Sequence, residues 1–515
     1  MLDNIFVMFM LALLPIIWLV VALCIFKMQA HVASVGAFIV AAIEALIIWQ
    51  MPMLAVATAA LEGFAMAIWP IVIVIIAAVF TYNLTVYTGA MEVIKKMITS
   101  VSVDSRILVL LIGWCFGGFL EGMAGFGVAI AIPASMLYAL GFNPVIAILA
   151  CLIANGCPTM FGSIGIPTTT LASVTGLDAA RLAFTQTIQT APLLFISPFL
   201  MVMLVGKGFK SLKGIIPFVC VASLSFVLPE IIAARFIGAE LPVIIASVCS
   251  LICSFAYATK IKHKAVPAEY KMDIAQDDTK ISMHDALVAW SPFILIFVLL
   301  LLTSKLVPFI NQPLSAIKSS VVIYQGADAA PYTFTWINTP AVWILLSGII
   351  GGLIQKCQFK DLVLVMKNTI IQMSKTICTM LGVLACAKIM GYSGMISAIS
   401  TFFVTVLGSF FPLASPLIGA LGTFVTGSGT SSQVLFGNVQ LQAAHAIGVN
   451  EYWLVAANSL GTSAGKMLSP QSIAIGCAAC GLQGKDGEIL GKITKYAVGY
   501  VIVMALIVYF GQSLI

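Results

Sequence analysis

Gly117-Gly-Phe-Leu-Glu-Gly-Met-Ala-Gly-Phe-Gly127, GGFLEGMAGFG, packs five glycines and one glutamate into eleven residues flanked by apolar sequence. Glycine weakens a helix, and a buried carboxylate is costly unless it is partnered. Such a stretch inside an apolar segment is a break in the backbone, and the rest of the chain explains why a break is placed there.

The surroundings are extreme. Of 515 residues, 61% are hydrophobic and 9% charged, whereas soluble proteins carry about 25% charged residues. The mean hydropathy is +1.12. Apolar runs recur at about 20 residues, the length that crosses a ~30 Å hydrocarbon core as a helix. The chain therefore reads as an all-α polytopic membrane protein with about 12–14 membrane-embedded helices. The N-terminus holds Asp3 and no basic region, so residues 5–26 are expected to be a retained first span.

The net charge of +6 does not indicate nucleic acid, because the basic residues lie in short loops. Cysteines such as Cys24, Cys115, Cys220 and Cys386 sit in apolar runs and read as packing residues. Cys477-Ala-Ala-Cys480 has redox or metal spacing but no second pair and no nearby histidine. With four histidines in the chain, no metal or cofactor is expected.

Lysines and arginines collect at Lys27, Lys95/Lys96/Arg106, Lys207/Lys210/Lys213, the 260–280 loop, Lys356/Lys360/Lys367 and Lys485/Lys492/Lys495. The positive-inside rule puts all of these in the cytoplasm. The polar segment 307–340 has Lys318 as its one basic residue and faces outside. Both termini then lie outside. The charged stretch 259–285 reads as a solvated cytoplasmic linker.

Two regions about 303 residues apart repeat each other. Asn155, Gly162 and Pro167 have the spacing of Asn458, Gly465 and Pro470. Ala124-Gly-Phe-Gly127 matches Thr426-Gly-Ser-Gly429, and Gly117 matches Gly419. Tyr87-Thr-Gly89 matches Tyr392-Ser-Gly394. The first copy continues into Lys95, Lys96 and Arg106, while 395–411 carries no charge. Opposite basic content predicts opposite orientation, the inverted repeat on which many secondary transporters are built. A parallel repeat with an additional crossing is the other reading.

Paired breaks in two repeats point to a binding site near the midplane. Broken backbone in lipid is tolerated where protein covers it or a cavity wets it, and helix N-termini exposed there favour an anion. Thr426-Gly-Ser-Gly-Thr-Ser-Ser-Gln433 adds hydroxyls and an amide suited to a carboxylate or hydroxyl; the alternative is hydroxyl-mediated helix packing. Glu121 falls deep in its span, where an acid that gains and loses a proton can couple transport, or can simply bond a neighbouring helix. Lys466 either meets Glu121 and the substrate or snorkels to the interface. Lys388, Glu62 and Glu44 are weaker candidates near helix ends. No nucleophile triad or phosphate loop suggests an enzyme. A channel remains open as a different class, because Gly-rich re-entrant segments also build filters.

At these motifs the chain resembles the lactate permease family. The matching stretches are GGFLEGMAGFGVAIAIPA (117–134), ANGCPTMFGSIGIP (154–167), SVTGLD (173–178), FIGAELP (236–242), TGSGTSSQVLFG (426–437) and AANSLGTSAGKMLSPQSIAIGCAACGLQGKD (456–486). The resemblance implies a bacterial cytoplasmic (inner) membrane symporter that takes up L-lactate, often also D-lactate or glycolate, with protons. It implies an ion-transporter-type fold, in which two re-entrant hairpins form a transport domain that moves against a scaffold, commonly in a homodimer. On that pattern 1–68 and 206–368 are scaffold spans, and 69–205 and 369–515 are the two repeats. Gly429 stands where the family usually shows Asp or Asn, and Gln433 where Asn is expected.

The expected substrate is a small 2-hydroxymonocarboxylate, held by Gly125, Gly127, Asn155, Ser428, Gly429, Thr430, Ser431, Ser432, Asn458 and Lys466, with Glu121 carrying the proton. Membrane lipid is the expected surrounding, and no nucleic acid is a partner. Sodium-coupled carriage and an anion channel are the competing readings.

Overall fold

An apolar chain in lipid has only its own backbone to bond to, and this one is helical almost throughout. The computed structural model describes residues 4–125, 127–261, 265–273, 281–327 and 329–514. Among them 11 helices are long and apolar enough to cross a membrane, or up to 12 with one bent pair. That pair is the first span, Ile5–Ala12 and Leu14–Leu23, bent by 46°. Two shorter apolar helices, Val128–Ala139 and Pro340–Ile354, accompany them.

One group of helices comprises Ala30–Ile47, Met53–Tyr87, Met283–Thr303, Pro340–Ile354 and Phe359–Ser393; it takes in residues 69–87 and 369–393, which the sequence reading placed in the two repeats. Glycines bring their backbones together, as expected where no hydrophobic force separates helix from lipid. A Cβ on Gly382 would lie 2.9 Å from the Ser34 backbone, and one on Gly63 2.6 Å from that of Ala385. Met53–Tyr87 is interrupted at Trp69, whose indole donates to the Thr335 carbonyl at 2.9 Å. Thr335 belongs to a small antiparallel ribbon, Lys318–Val321 with Tyr332–Thr335, so the outer segment folds over this kink.

The second group holds the repeats. Ser105–Met123 and Val128–Ala139 form one hairpin; Phe411–Thr426 and Gly429–Ile447 form the other. Behind them run the broken spans Pro144–Thr175 and Glu451–Leu468/Pro470–Ala479. Ile216–Phe236 and Pro242–Ile261 pack on the first hairpin, with Phe226 4.8 Å from Trp114 and Ser250 bonded to Cys115. Phe411–Thr426 lies backbone to backbone on Glu451–Leu468. A Cβ on Gly461 or Gly465 would strike the Pro416 or Ala420 carbonyl.

The hairpins open toward opposite faces. The base of the first meets the cytoplasmic linker: Met272 N–H donates to the Val103 carbonyl at 2.8 Å, and Asp104 bridges Lys271. The base of the second stacks Phe410 on Tyr509, at the far end of a helix that begins beside Lys485 and Lys492. The repeated Tyr-x-Gly elements agree. Gly89 and Gly394 both turn left-handed, at φ 76° and 94°. Tyr87 bonds Asp361 near the start of Phe359–Ser393, whereas Tyr392 stands near its end, about 46 Å along a helix of 1.5 Å rise. The repeat is inverted.

The linker differs from expectation. Residues 262–264 and 274–280 lie outside the described residues, but 270–272 dock instead of remaining solvated. Tyr270 is buried beneath Arg106, whose guanidinium sits 4.1 Å from the ring. Arg106 also holds Asp104 at 2.8 Å and the Ser211 carbonyl at 2.9 Å. A buried arginine requires such partners, and they draw the linker in.

Candidate functional site

The glycines of GGFLEGMAGFG end one half-helix and start another. Gly127, at φ +87°, precedes Val128–Ala139, and Gly427, at φ +69°, ends Phe411–Thr426. Side chains with a Cβ rarely adopt these angles. Ser428 then caps Gly429–Ile447 through the Ser431 N–H, and Ser469 caps Pro470–Ala479 through the Ser472 N–H. In the remaining break, Ser163, Ile164 and Gly165 run left-handed in succession before the helix continues to Thr175. Ser163 Oγ donates to the Ala124 carbonyl at 2.8 Å and ties this break to the first hairpin tip.

These four helix starts surround one cavity of about 450 Å³, whose walls include Gly127, Gly162, Ser163, Ser428, Gly429 and Ser469. A helix start carries N–H groups without intrahelical partners and a partial positive charge. Lys466 adds a full charge. Its Nζ donates to the Gly427 carbonyl at 3.2 Å, a carbonyl left free at a helix end. Neutral donors converging with one cation suit a carboxylate.

Glu121 reaches the same cavity and is 4% exposed. Asn155 Nδ2 donates to its Oε2 at 2.7 Å. A Cβ on Gly162 would run into the carboxylate, so the glycine of the Asn-x₆-Gly spacing makes room for it. Lys466 lines the same cavity as Glu121. Acid, amide and ammonium thus come from three different helices.

The eleven residues expected to form the site divide into two layers. Glu121, Gly127, Ser428, Gly429, Thr430 and Lys466 line the cavity. Gly125, Asn155, Ser431, Ser432 and Asn458 sit behind the wall. Asn155 supports Glu121, and Gly125 faces the Ser163 hydroxyl. Ser432 Oγ donates to the Gly419 carbonyl at 2.9 Å. Asn458, fully buried, donates to Gln433 Oε1 at 2.7 Å. Gln433 in turn bonds Ser459 at 2.6 Å, within a network that includes Gln186. Among the weaker candidates, Glu62 pairs with Lys388 at 2.7 Å and accepts from Tyr392 at 2.9 Å, away from the cavity. Both oxygens of Glu44 are buried without a partner among the described residues.

The far wall was not anticipated. Phe359–Ser393 contributes Lys375, Thr376 and Thr379, and the start of Ala30–Ile47 contributes His31. The run Gln372-Met-Ser-Lys-Thr376 in a membrane helix is the signal that would have found it. Met28, Gln29 and His31 also line the cavity; they adjoin Lys27, which the positive-inside rule assigns to the cytoplasmic side. Lys305, just after Met283–Thr303, stands 3.8 Å from Asp178, which caps Ala179–Val205.

A family model described as L-lactate permease matches residues 8–515. An L-lactate permease of Streptococcus iniae is 42% identical over 446 residues, 87% of this chain and 93% of that one. The glycolate permease GlcA of Escherichia coli K12 is 34% identical, over 97% of this chain and 94% of its own. Among solved structures, Neisseria gonorrhoeae MtrF, titled as representing a class of antimetabolite efflux pumps, aligns with a TM-score of 0.50 at 13% identity. That alignment covers 92% of this chain and 94% of MtrF, a likeness of fold alone.

Proposed function

The chain belongs to the L-lactate permease family, and on that premise we propose that it imports L-lactate, with D-lactate and glycolate as further substrates, by proton symport across a bacterial cytoplasmic membrane. It is a multi-pass membrane permease, not an enzyme. The observation that carries the reading is the meeting of four helix N-termini, Lys466 and Glu121 in one cavity.

The substrate carboxylate would take N–H groups at Gly429 and Thr430, the Ser428 and Thr430 hydroxyls, and the Lys466 ammonium. Charge accounting then links the proton to the substrate. Ionised Glu121 already balances Lys466, so a bound carboxylate leaves one uncompensated negative charge in a low-dielectric site, which is costly. A proton on Glu121 restores neutrality, and the loaded site can move. Movement of the hairpin group against the five-helix group, and assembly as a homodimer, accompany this reading through the resemblance.

Purified protein in proteoliposomes, given radiolabelled lactate under imposed pH or Na⁺ gradients, tests the proposal. Accumulation driven by an inward proton gradient, with glycolate competing, is the expected result. Accumulation driven by Na⁺ alone would replace the proton in this scheme. Single-channel currents without uphill uptake would replace the carrier with a channel.

A further inference from the structure

Lys375 lies near the middle of Phe359–Ser393, a helix of 35 residues, or about 52 Å at 1.5 Å per residue. That length exceeds a ~30 Å hydrocarbon core. An ammonium group on a membrane-spanning helix is rare and marks a pathway. This one is exposed and forms no ion pair or side-chain hydrogen bond among the described residues. It lines the cavity together with Thr376 and Thr379, whose spacing puts them on one helical face. The four helix starts and Lys466 line the same cavity from other helices. Lys375 also belongs to a different packing group: its helix lies against Ala30–Ile47, where a Cβ on Gly382 would meet Ser34.

Resting on the proposed carboxylate transport, we propose that Lys375 is a second, stationary contact for the substrate carboxylate, made while the cavity faces the cytoplasm. Lys466 travels with the hairpins and stays in the charge balance of the loaded site. Lys375 stays with the five-helix group, so its charge is not carried along. Met28 and His31, close to Lys27 in the chain, line the cavity with Lys375, and on this proposal the substrate passes Lys375 on its way between Lys466 and the cytoplasm. The lysine therefore determines affinity on the cytoplasmic side, and the site becomes selective for an anion on that face independently of the hairpin tips.

The experiment compares half-saturating lactate on the two faces, using right-side-out and inside-out vesicles, for the native protein, Lys375→Gln and Lys375→Arg. In Lys375→Gln the cytoplasmic value should rise roughly tenfold, the worth of a hydrogen bond to a charged group, while the external value stays native. Lys375→Arg should restore the cytoplasmic value. In the native protein, added salt should raise the cytoplasmic value more than the external one, because an exposed amine is screened; this needs no variant to fold. Equal changes on both faces, no change in Lys375→Gln, or a salt response equal on the two faces would overturn the proposal. A native protein that carries no lactate from either face would overturn the carboxylate reading itself, and Lys375's role with it.

Discussion

Asn155 donates its side-chain amide to Glu121 at 2.7 Å, from a broken span to the neighbouring hairpin. The bond orients the one acid that the cavity wall holds, and it ties the first repeat's break to the first repeat's tip.

Glu121→Gln keeps the size and the bond to Asn155 but cannot carry a proton. Lactate exchange between equal internal and external pools should persist, while accumulation against a gradient is lost. Proteoliposome counterflow set beside pH-driven uptake measures both, and accumulation by the variant would remove Glu121 from the coupling.

Asn155→Leu leaves a buried carboxylate oxygen without its donor, at a cost of about 1–3 kcal/mol. The variant should melt lower than the native protein in detergent, and its pH profile of uptake should shift. Asn458→Leu should also lower the melting temperature, through Gln433 and the network behind the wall, but leave the pH profile in place. Identical pH profiles for the native and Asn155→Leu proteins would argue against a link to the proton.

Lys466→Met removes the cation from the substrate side and frees the Gly427 carbonyl. Half-saturating lactate should rise at least roughly tenfold on both faces, because a charged hydrogen bond is worth about 1.5–3 kcal/mol. Equilibrium binding of radiolabelled lactate to purified protein reads this directly.

Gly461→Leu would drive a side chain into the Pro416 carbonyl where two helices touch backbone to backbone. Overpacking of this kind costs about 1–3 kcal/mol or more. Loss of monodisperse protein in size-exclusion chromatography is expected, whereas Gly499→Ala, with open space around it, should behave as the native protein.

If protonated Glu121 admits the anion, half-saturating external lactate rises as external pH rises, because fewer carriers hold the proton. Initial uptake rates between pH 5.5 and 8.5, with the internal pH clamped, check the sign. A half-saturation that falls with pH would reverse the order of binding.

Much of this architecture was legible because its signals are local. Gly127 and Gly427 lie where the backbone turns left-handed, Pro470 starts a helix, and lysines mark the cytoplasmic loops. Each depends on a residue's own backbone or charge, so the breaks and the repeat could be read along the chain, with an inverted and a parallel arrangement both open. The division of the site into layers could not. Ser431 and Ser432 immediately follow Thr430, yet helical rotation turns them into the core while Thr430 faces the cavity. Asn155 and Asn458 occupy equivalent positions, but one supports an acid and the other joins an amide network.

By itself, the sequence determined that the chain lives in lipid, that two repeated copies carry paired breaks, and that an acid and a lysine fall near them. Hydrophobicity, turn chemistry and loop charge act over a few residues and need no partner. The tertiary structure alone decided which groups share a cavity, Lys375 and Lys466 among them. Those relations join helices hundreds of residues apart, and they exist only once glycine-lined contacts have set the distance between the two helix groups.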